Sequence, residues 1–312
     1  MAGLLSLSST WQTTARANSS SDSANTAKRR WNYPAPFFIG DIAYGQATEK
    51  IRYHRAMGQT VEIAGQTVSI HYSGNTLVSY DPMVYLHSLK GNGSEVWEQC
   101  QSLHCPPFTL ISIPTPNWND SLTPWRCEGL FAEDKPFEGN ARQHLLGLEA
   151  IVAQTEQHLE TTPHHRCIAG YSLAGLFATW APFNTTLFDA LASASGSLWY
   201  PDFSEYVSTN TFAKKPLCAY FSLGTKEAKT PSRLLRSVSQ RTKSVVSSFQ
   251  EKGVETLFES NPGNHFKEPD LRMAKGICWM LRQFNRWNRF VKHIHGICAI
   301  TPDKPLFFII FI

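Results

Sequence analysis

The segment "RCIAGYSLAGLF", Arg166 to Phe177, sets a serine among small residues at the end of an apolar run. Two readings compete for it. Ser172 is either a nucleophile on a sharp strand-to-helix turn, or one hydroxyl in a segment whose small residues let a helix pack closely on a sheet. The pattern Gly170-x-Ser172-x-x-Gly175 departs by one place from the usual G-x-S-x-G, because Ala174 stands where the second glycine belongs. Such a turn needs small neighbours on both sides of the serine. Alanine has the least side-chain bulk after glycine, so the pattern is weakened without being broken.

The flanking sequence favours the turn. "HRCIAG" reads as a strand ending at the motif, and "LAGLFATWAPF" opens a helix. Further out, "MVYLHS" and "FTLISI" are short apolar runs of buried-strand type, while "SEVWEQCQSL" predicts a helix. "NARQHLLGLEAIVAQTEQHLE" predicts another, with Leu145, Leu146, Leu148, Ile151 and Val152 near helical spacing. Downstream, "LFDALASASG", "PLCAYFSLG" and "VETLFES" are strand candidates. "SRLLRSVSQRTKSVVSSFQEKG" and "EPDLRMAKGICWMLRQFNRW" are the last helices. Strands separated by helices imply a mostly parallel central sheet with helices on both faces. Upstream, "QTVEIAGQTVSIHYSG" alternates polar and apolar residues and predicts a β-hairpin turning at Gly65-Gln66.

One domain over residues 58–290 accounts for this pattern without a linker. Residues 1–57, rich in Ser, Thr, Asn and Ala for most of their length, are expected to form a poorly ordered or accessory segment. Residues 291–312 are expected to be an irregular apolar tail, closing on "PLFFIIFI", which is too short to span a bilayer as a helix.

Composition narrows the class. Of 312 residues, 42% are hydrophobic, enough for a large core, and 29 basic against 25 acidic residues leave a formal charge of only +4. No dense basic patch interleaved with aromatics is present, so a nucleic-acid partner is not expected. The seven cysteines are odd in number, scattered, without a C-x-x-C pair and without histidines at zinc-site spacing. A reduced, cytoplasmic protein without a metal or other cofactor, and without a membrane span, is the simpler reading. A homodimer is compatible with the sequence and not required by it.

A serine hydroxyl is a poor nucleophile until a neighbouring base takes its proton. His265, in the Gly- and Asn-rich turn "ESNPGNHFKEPD" after a strand, is the candidate base. His164 and His165 lie on the wrong side of the motif strand, His144 and His158 on a helix expected to show them to solvent, and His293 and His295 in the tail. The acid that orients the base falls in chain order between nucleophile and histidine. Glu227 in "YFSLGTKEAKT" is the only carboxylate of its loop, with Asp270 and Asp189 as weaker candidates; Asp270 is expected instead to open the last helix. Oxyanion donors are expected from the backbone N–H of Leu173 and from the loop after "MVYLHS", at Ser88 within the range 87–90. Trp118, Trp125 and Trp199 stand in loops. They either line a substrate pocket or pin those loops to the body.

The stretches "GYSLAGLFATWA", "LFDALASASGSLWYPDF", "SLGTKEAKT", "NPGNHFKEPDLRMAKGICWML" and "NWNDSLTPW" resemble an esterase family of α/β-hydrolases that includes esterase D-like and enterobactin-esterase-like enzymes. The resemblance covers roughly residues 80 to 285. It implies the α/β-hydrolase fold, an alanine at position 174 as normal, and the roles of nucleophile, base and acid for Ser172, His265 and Glu227. It also implies cleavage of a small-molecule carboxylic ester without a cofactor. "TKEAKT" carries Thr225 where the family's more acidic form has Asp. A thioesterase or acyltransferase would use the same triad, and an inactive binding protein would share the fold.

Overall fold

The computed structural model describes residues 57–72, 81–130 and 133–300. All of them belong to a unit spanning His54–Ile312. The expected N-terminal segment, apart from Met57 at the start of the first strand, and the end of the tail lie outside the described residues.

Eight strands form one sheet in the order β1-β2-β4-β3-β5-β6-β7-β8. They are β1 Met57–Ile63, β2 Gln66–Tyr72, β3 Met83–Ser88, β4 Thr109–Pro114, β5 Arg166–Tyr171, β6 Ala190–Ala194, β7 Cys218–Gly224 and β8 Glu255–Asn261. The six strands from β4 to β8 in that order are parallel. The β1–β2 hairpin adds to them antiparallel through β4. The hairpin turns at Ala64-Gly65, one place before the expected Gly65-Gln66. Both turn residues take positive φ (51° and 74°), as a two-residue turn matched to strand twist requires, so Gln66 is free to pair with Ile63.

Helices separate the parallel strands: α1 Ser94–Ser102, the short α2 Trp118–Ser121, α3 Ala141–His158, α4 Leu173–Trp180, α5 Phe203–Thr209, α6 Arg233–Arg236, α7 Val238–Glu251 and α8 Pro269–Ile300. The period of two along a strand divides the core into two layers. Met83 and Tyr85 of β3 face one cluster, with Leu145, Leu148, Ile151 and Val152 of α3, Phe177 of α4 and Phe249 of α7. Val84 and Leu86 face the other, with Trp97 of α1 and Met273, Ile277 and Leu281 of α8. Strands covered on both sides are apolar throughout, which is why "MVYLHS" and "FTLISI" show no alternation.

Three further expectations change. The helix expected over residues 232–253 breaks at Ser237 into α6 and α7. The backbone of α8 stays helical to Ile300, past the expected start of the irregular tail, because no proline interrupts it before Pro302. Cysteine reading fails at one pair: Cys105, after α1, and Cys278, on α8, form a disulfide across 173 residues. Spacing alone does not reveal such a bridge, since the fold and not the sequence brings the two ends together. Cys100, Cys127, Cys167 and Cys218 remain free. No helix among the described residues is long and apolar enough to cross a membrane.

Candidate active site

Ser172 sits between β5 and α4 with φ 59° and ψ −122°. A non-glycine residue there is strained by roughly 1–3 kcal/mol, a cost that persists only where the surrounding structure fixes the backbone. Its neighbours do so. Ser172 N donates to the Ala194 carbonyl at 3.2 Å, and Ser197 N donates to the Ser172 carbonyl at 2.9 Å.

The displaced glycine now has a steric reason. A Cβ on Gly170 would lie 2.3 Å from backbone atoms of Ala174, so the close approach of strand and helix falls on 170 and leaves room for a methyl at 174. A Cβ on Gly175 would lie 2.8 Å from both Gly196 Cα and Ser193 Oγ. The second glycine is therefore required one place later, where α4 meets the turn after β6.

The carboxyl ends of β5, β7 and β8 bring the three sequence candidates together. His265 Nε2 lies 3.1 Å from Ser172 Oγ, and His265 Nδ1 lies 2.8 Å from Glu227 Oε2. A carboxylate only accepts, so the proton belongs on Nδ1 and the Nε2 lone pair faces the serine hydroxyl. The Glu227 side chain is 4% exposed and that of His265 31%. Burial pushes the Glu227 carboxyl up, but hydrogen bonding and charge from His265, with further hydrogen bonds from Gly224 N and Ser195 Oγ, hold it below its ordinary range.

The competing residues have other work. Asp189 takes Lys214 at 2.8 Å and the Arg166 N–H at 2.9 Å. Asp270 stands in the first turn of α8. Thr225 Oγ1 accepts from Gly263 N, bracing the loop that carries His265. His144 departs from expectation. It points inward, packed against His87 and Phe177 at ring-centroid distances of 5.0 and 5.1 Å, because α3 turns that side toward β3 and α4.

Leu173 N opens α4, where first-turn N–H groups lack intrahelical acceptors. Ser88 ends β3, one step beyond the His87–Gly170 pair, beside the strand that leads to Ser172. Trp118 is buried at the start of α2. Trp125 packs against Tyr200, Phe203 and Tyr206, and Trp199 against Phe137 and Tyr200. Tyr200 OH donates to the Trp125 carbonyl at 2.6 Å, so these aromatics tie the loop of residues 115–140 to the body. Exposed apolar groups also flank the site: Leu89 follows Ser88, and Phe266, 63% exposed, sets its ring edge-on to His265 at 5.3 Å.

Sequence reasoning missed several neighbours. Ser197 Oγ lies 3.3 Å from Ser172 Oγ, Ser195 Oγ donates to Glu227 Oε1 at 2.8 Å, and Tyr171 OH donates to the His265 carbonyl at 2.5 Å. Arg272, 2% exposed, reaches Glu227 Oε1 at 3.1 Å. Among the described residues, one group of three side chains lies close enough to hold a metal, Cys100, Cys105 and Cys278, and two of those sulfurs are joined in the disulfide.

No family model matches the chain. Its sequence is 28% identical over 180 residues to the uncharacterized protein YbbA of Bacillus subtilis, covering 55% of this chain and 72% of that one. The siderophore hydrolase EstA from Aspergillus nidulans superposes with a TM-score of 0.59 at 17% identity, over 78% of this chain and 99% of the other. An IroE-like serine hydrolase from Shewanella oneidensis gives 0.60 at 18% identity, over 74% and 81%. The enterochelin esterase of Shigella flexneri gives 0.54 at 15% identity, over 73% and 59%. With its mostly parallel eight-stranded sheet and its strained serine turn after β5, the chain has the α/β-hydrolase fold that these structures share.

Proposed function

We propose that the chain is a serine hydrolase that cleaves a small carboxylic ester through an acyl-enzyme on Ser172. The observation that carries this reading is the unbroken chain from Ser172 Oγ through both nitrogens of His265 to Glu227, with spacings of 3.1 and 2.8 Å. Ser172 Oγ attacks the ester carbonyl carbon as its proton passes to His265 Nε2. Glu227 stabilises the resulting imidazolium. The oxyanion accepts from the N–H of Leu173 at the start of α4 and from a backbone N–H of the loop after β3, Leu89 or Lys90. Ser88 does not supply it, because the parallel pairing of Ser88 with Pro114, which has no N–H of its own, commits the Ser88 N–H to β4. As the carbon–oxygen bond breaks, His265 returns the proton to the leaving alcohol. Water then attacks the acyl-enzyme with His265 again as base, releasing the acid and restoring Ser172.

For the substrate pocket, Trp199 is the best placed of the three loop tryptophans, two residues from Ser197. Trp118 and Trp125 then shape its wall through the loop they anchor. The neighbours in fold are named for siderophore, enterochelin and enterobactin hydrolysis, so a catecholate trilactone belongs beside short and long p-nitrophenyl esters in a substrate panel.

A fluorophosphonate probe tests the nucleophile directly. Folded wild-type protein is expected to label, and Ser172→Ala protein is expected not to. Label that survives the substitution, or folded wild type that takes none, overturns the assignment.

A further inference from the structure

Arg272 stands in the first turns of α8, almost fully buried, where one guanidinium meets the carboxyl ends of four adjacent strands. Nη1 lies 3.1 Å from Glu227 Oε1 after β7, 3.1 Å from Ser195 Oγ after β6 and 3.4 Å from Tyr171 OH at the end of β5. Nη2 donates to the Pro262 carbonyl after β8 at 3.0 Å. The two hydroxyls are left free to accept from it, because each spends its own proton elsewhere: Ser195 on Glu227 Oε1 and Tyr171 on the His265 carbonyl. The arginine thus grips the acid, the loop that carries the base, and the residue before the nucleophile.

The two oxygens of Glu227 divide the work. Among the described residues Oε2 meets His265 alone, whereas Oε1 collects Arg272, Ser195 and the Gly224 N–H at 2.6 Å. To act as a base His265 must be neutral, and in that form a carboxylate at 4% exposure would lack a balancing charge if Arg272 were absent. A buried ion pair is poor evidence of stabilisation, since an apolar replacement of both partners is often neutral or better. Its value here lies in orientation. We infer that Arg272 is a positioning residue for the ester hydrolysis proposed above, fixing Glu227 ionised and aligned on His265 Nδ1 while tying the His265 loop to the nucleophile strand. The inference rests on that reading of the site.

The test uses full-length wild type, Arg272→Met, Arg272→Lys, Glu227→Gln and the Glu227→Gln/Arg272→Met double variant. Turnover of p-nitrophenyl acetate is measured per reactive serine, counted with the fluorophosphonate probe, so that misfolded protein does not enter the rate. Arg272→Met is expected to lower kcat about 10- to 100-fold, the loss that a misplacement of about 1 Å brings, with KM changed less than about twofold. The low-field proton resonance of the His265 Nδ1–H bonded to Glu227 is expected to vanish with it, and Arg272→Lys to recover part of both. Because Arg272 acts through Glu227, the double variant is expected to be no slower than Glu227→Gln alone. If Arg272→Met does not fold, Arg272→Lys and Ser195→Ala carry the same comparison, each with a several-fold loss in kcat. An active wild type with indifferent Arg272 variants, or a double variant whose losses multiply, overturns this inference alone. A wild type that neither labels nor turns over any ester overturns the esterase reading and this inference with it.

Discussion

Two clusters of buried polar side chains lie at the same end of the sheet and are built on opposite terms. In the first, Glu227, Arg272, Ser195 and Tyr171 hydrogen-bond to one another, with Arg272 Nε alone of that cluster lacking a partner among the described residues, and position His265 against Ser172. In the second, His87 of β3 and His144 of α3 pack edge-on with Phe177, and neither nitrogen of His87 nor Nε2 of His144 finds a hydrogen-bond partner among the described residues. Partners keep a buried charge in place; without them the neutral form is kept instead. Burial, helped by the neighbouring His144, holds His87 well below its ordinary range, and burial alone pushes His144 down to about 4.

The contrast breaks first at the connected cluster. Ser172→Ala is expected to lower ester turnover on the order of 10^6-fold in protein of unchanged thermal stability, measured as kcat per mole of folded protein. Glu227→Gln keeps the shape but mismatches the imidazole tautomer, and a loss on the order of 10^4-fold is expected in the same assay. His144→Phe should leave kcat within about threefold, because the pair has no place in the proton path; a larger loss would place the second cluster in the chemistry.

Stability separates the clusters further. The Cys105–Cys278 bridge pins the first third of α8, whose first turns carry Arg272. Reduction, or Cys278→Ser, is expected to cost about 2–4 kcal/mol in urea unfolding. Acid should then act on the two clusters in sequence. His144 takes its proton near 6.5 when unfolded and only near 4 when folded. The unfolded chain therefore binds more protons in that window, and stability falls as pH drops from about 6.5 toward 4. Between pH 7 and pH 5 the loss from His144 is about 2 kcal/mol, and His144→Phe should flatten the profile by that amount. Glu227 has its folded value lowered, so its contribution persists through this window and disappears only as pH falls below the ordinary carboxylate range. A profile unchanged by His144→Phe would refute the account of the second cluster.

Much of this was legible in the sequence where chain order and strand ends coincide. Ser172, Glu227 and His265 each follow an apolar run, and parallel strands deliver such positions to one edge of the sheet. Arg272 left a fainter signal. It falls four residues before Gly276 and eight before Met280, on the inward stripe of α8, so a charged side chain there had to be buried. The hydroxyls of Ser195, Ser197 and Tyr171 gave none, because a small polar residue beside a strand end reads the same whether it faces solvent or a carboxylate. His144 misled for a related reason. Its helix shows solvent on one side only, and the polar character of the residue suggested the wrong one.

The elbow has a consequence for how such chains are found. A search for glycine two places after the serine passes over this one, since Ala174 stands there and the needed clearance has moved to Gly175 against Gly196. The turn is better written as distances of approach than as letters. One position must admit the backbone of the helix, and another must admit the loop after the next strand. Glycine satisfies either, and which residue carries each requirement depends on how far that loop leans in.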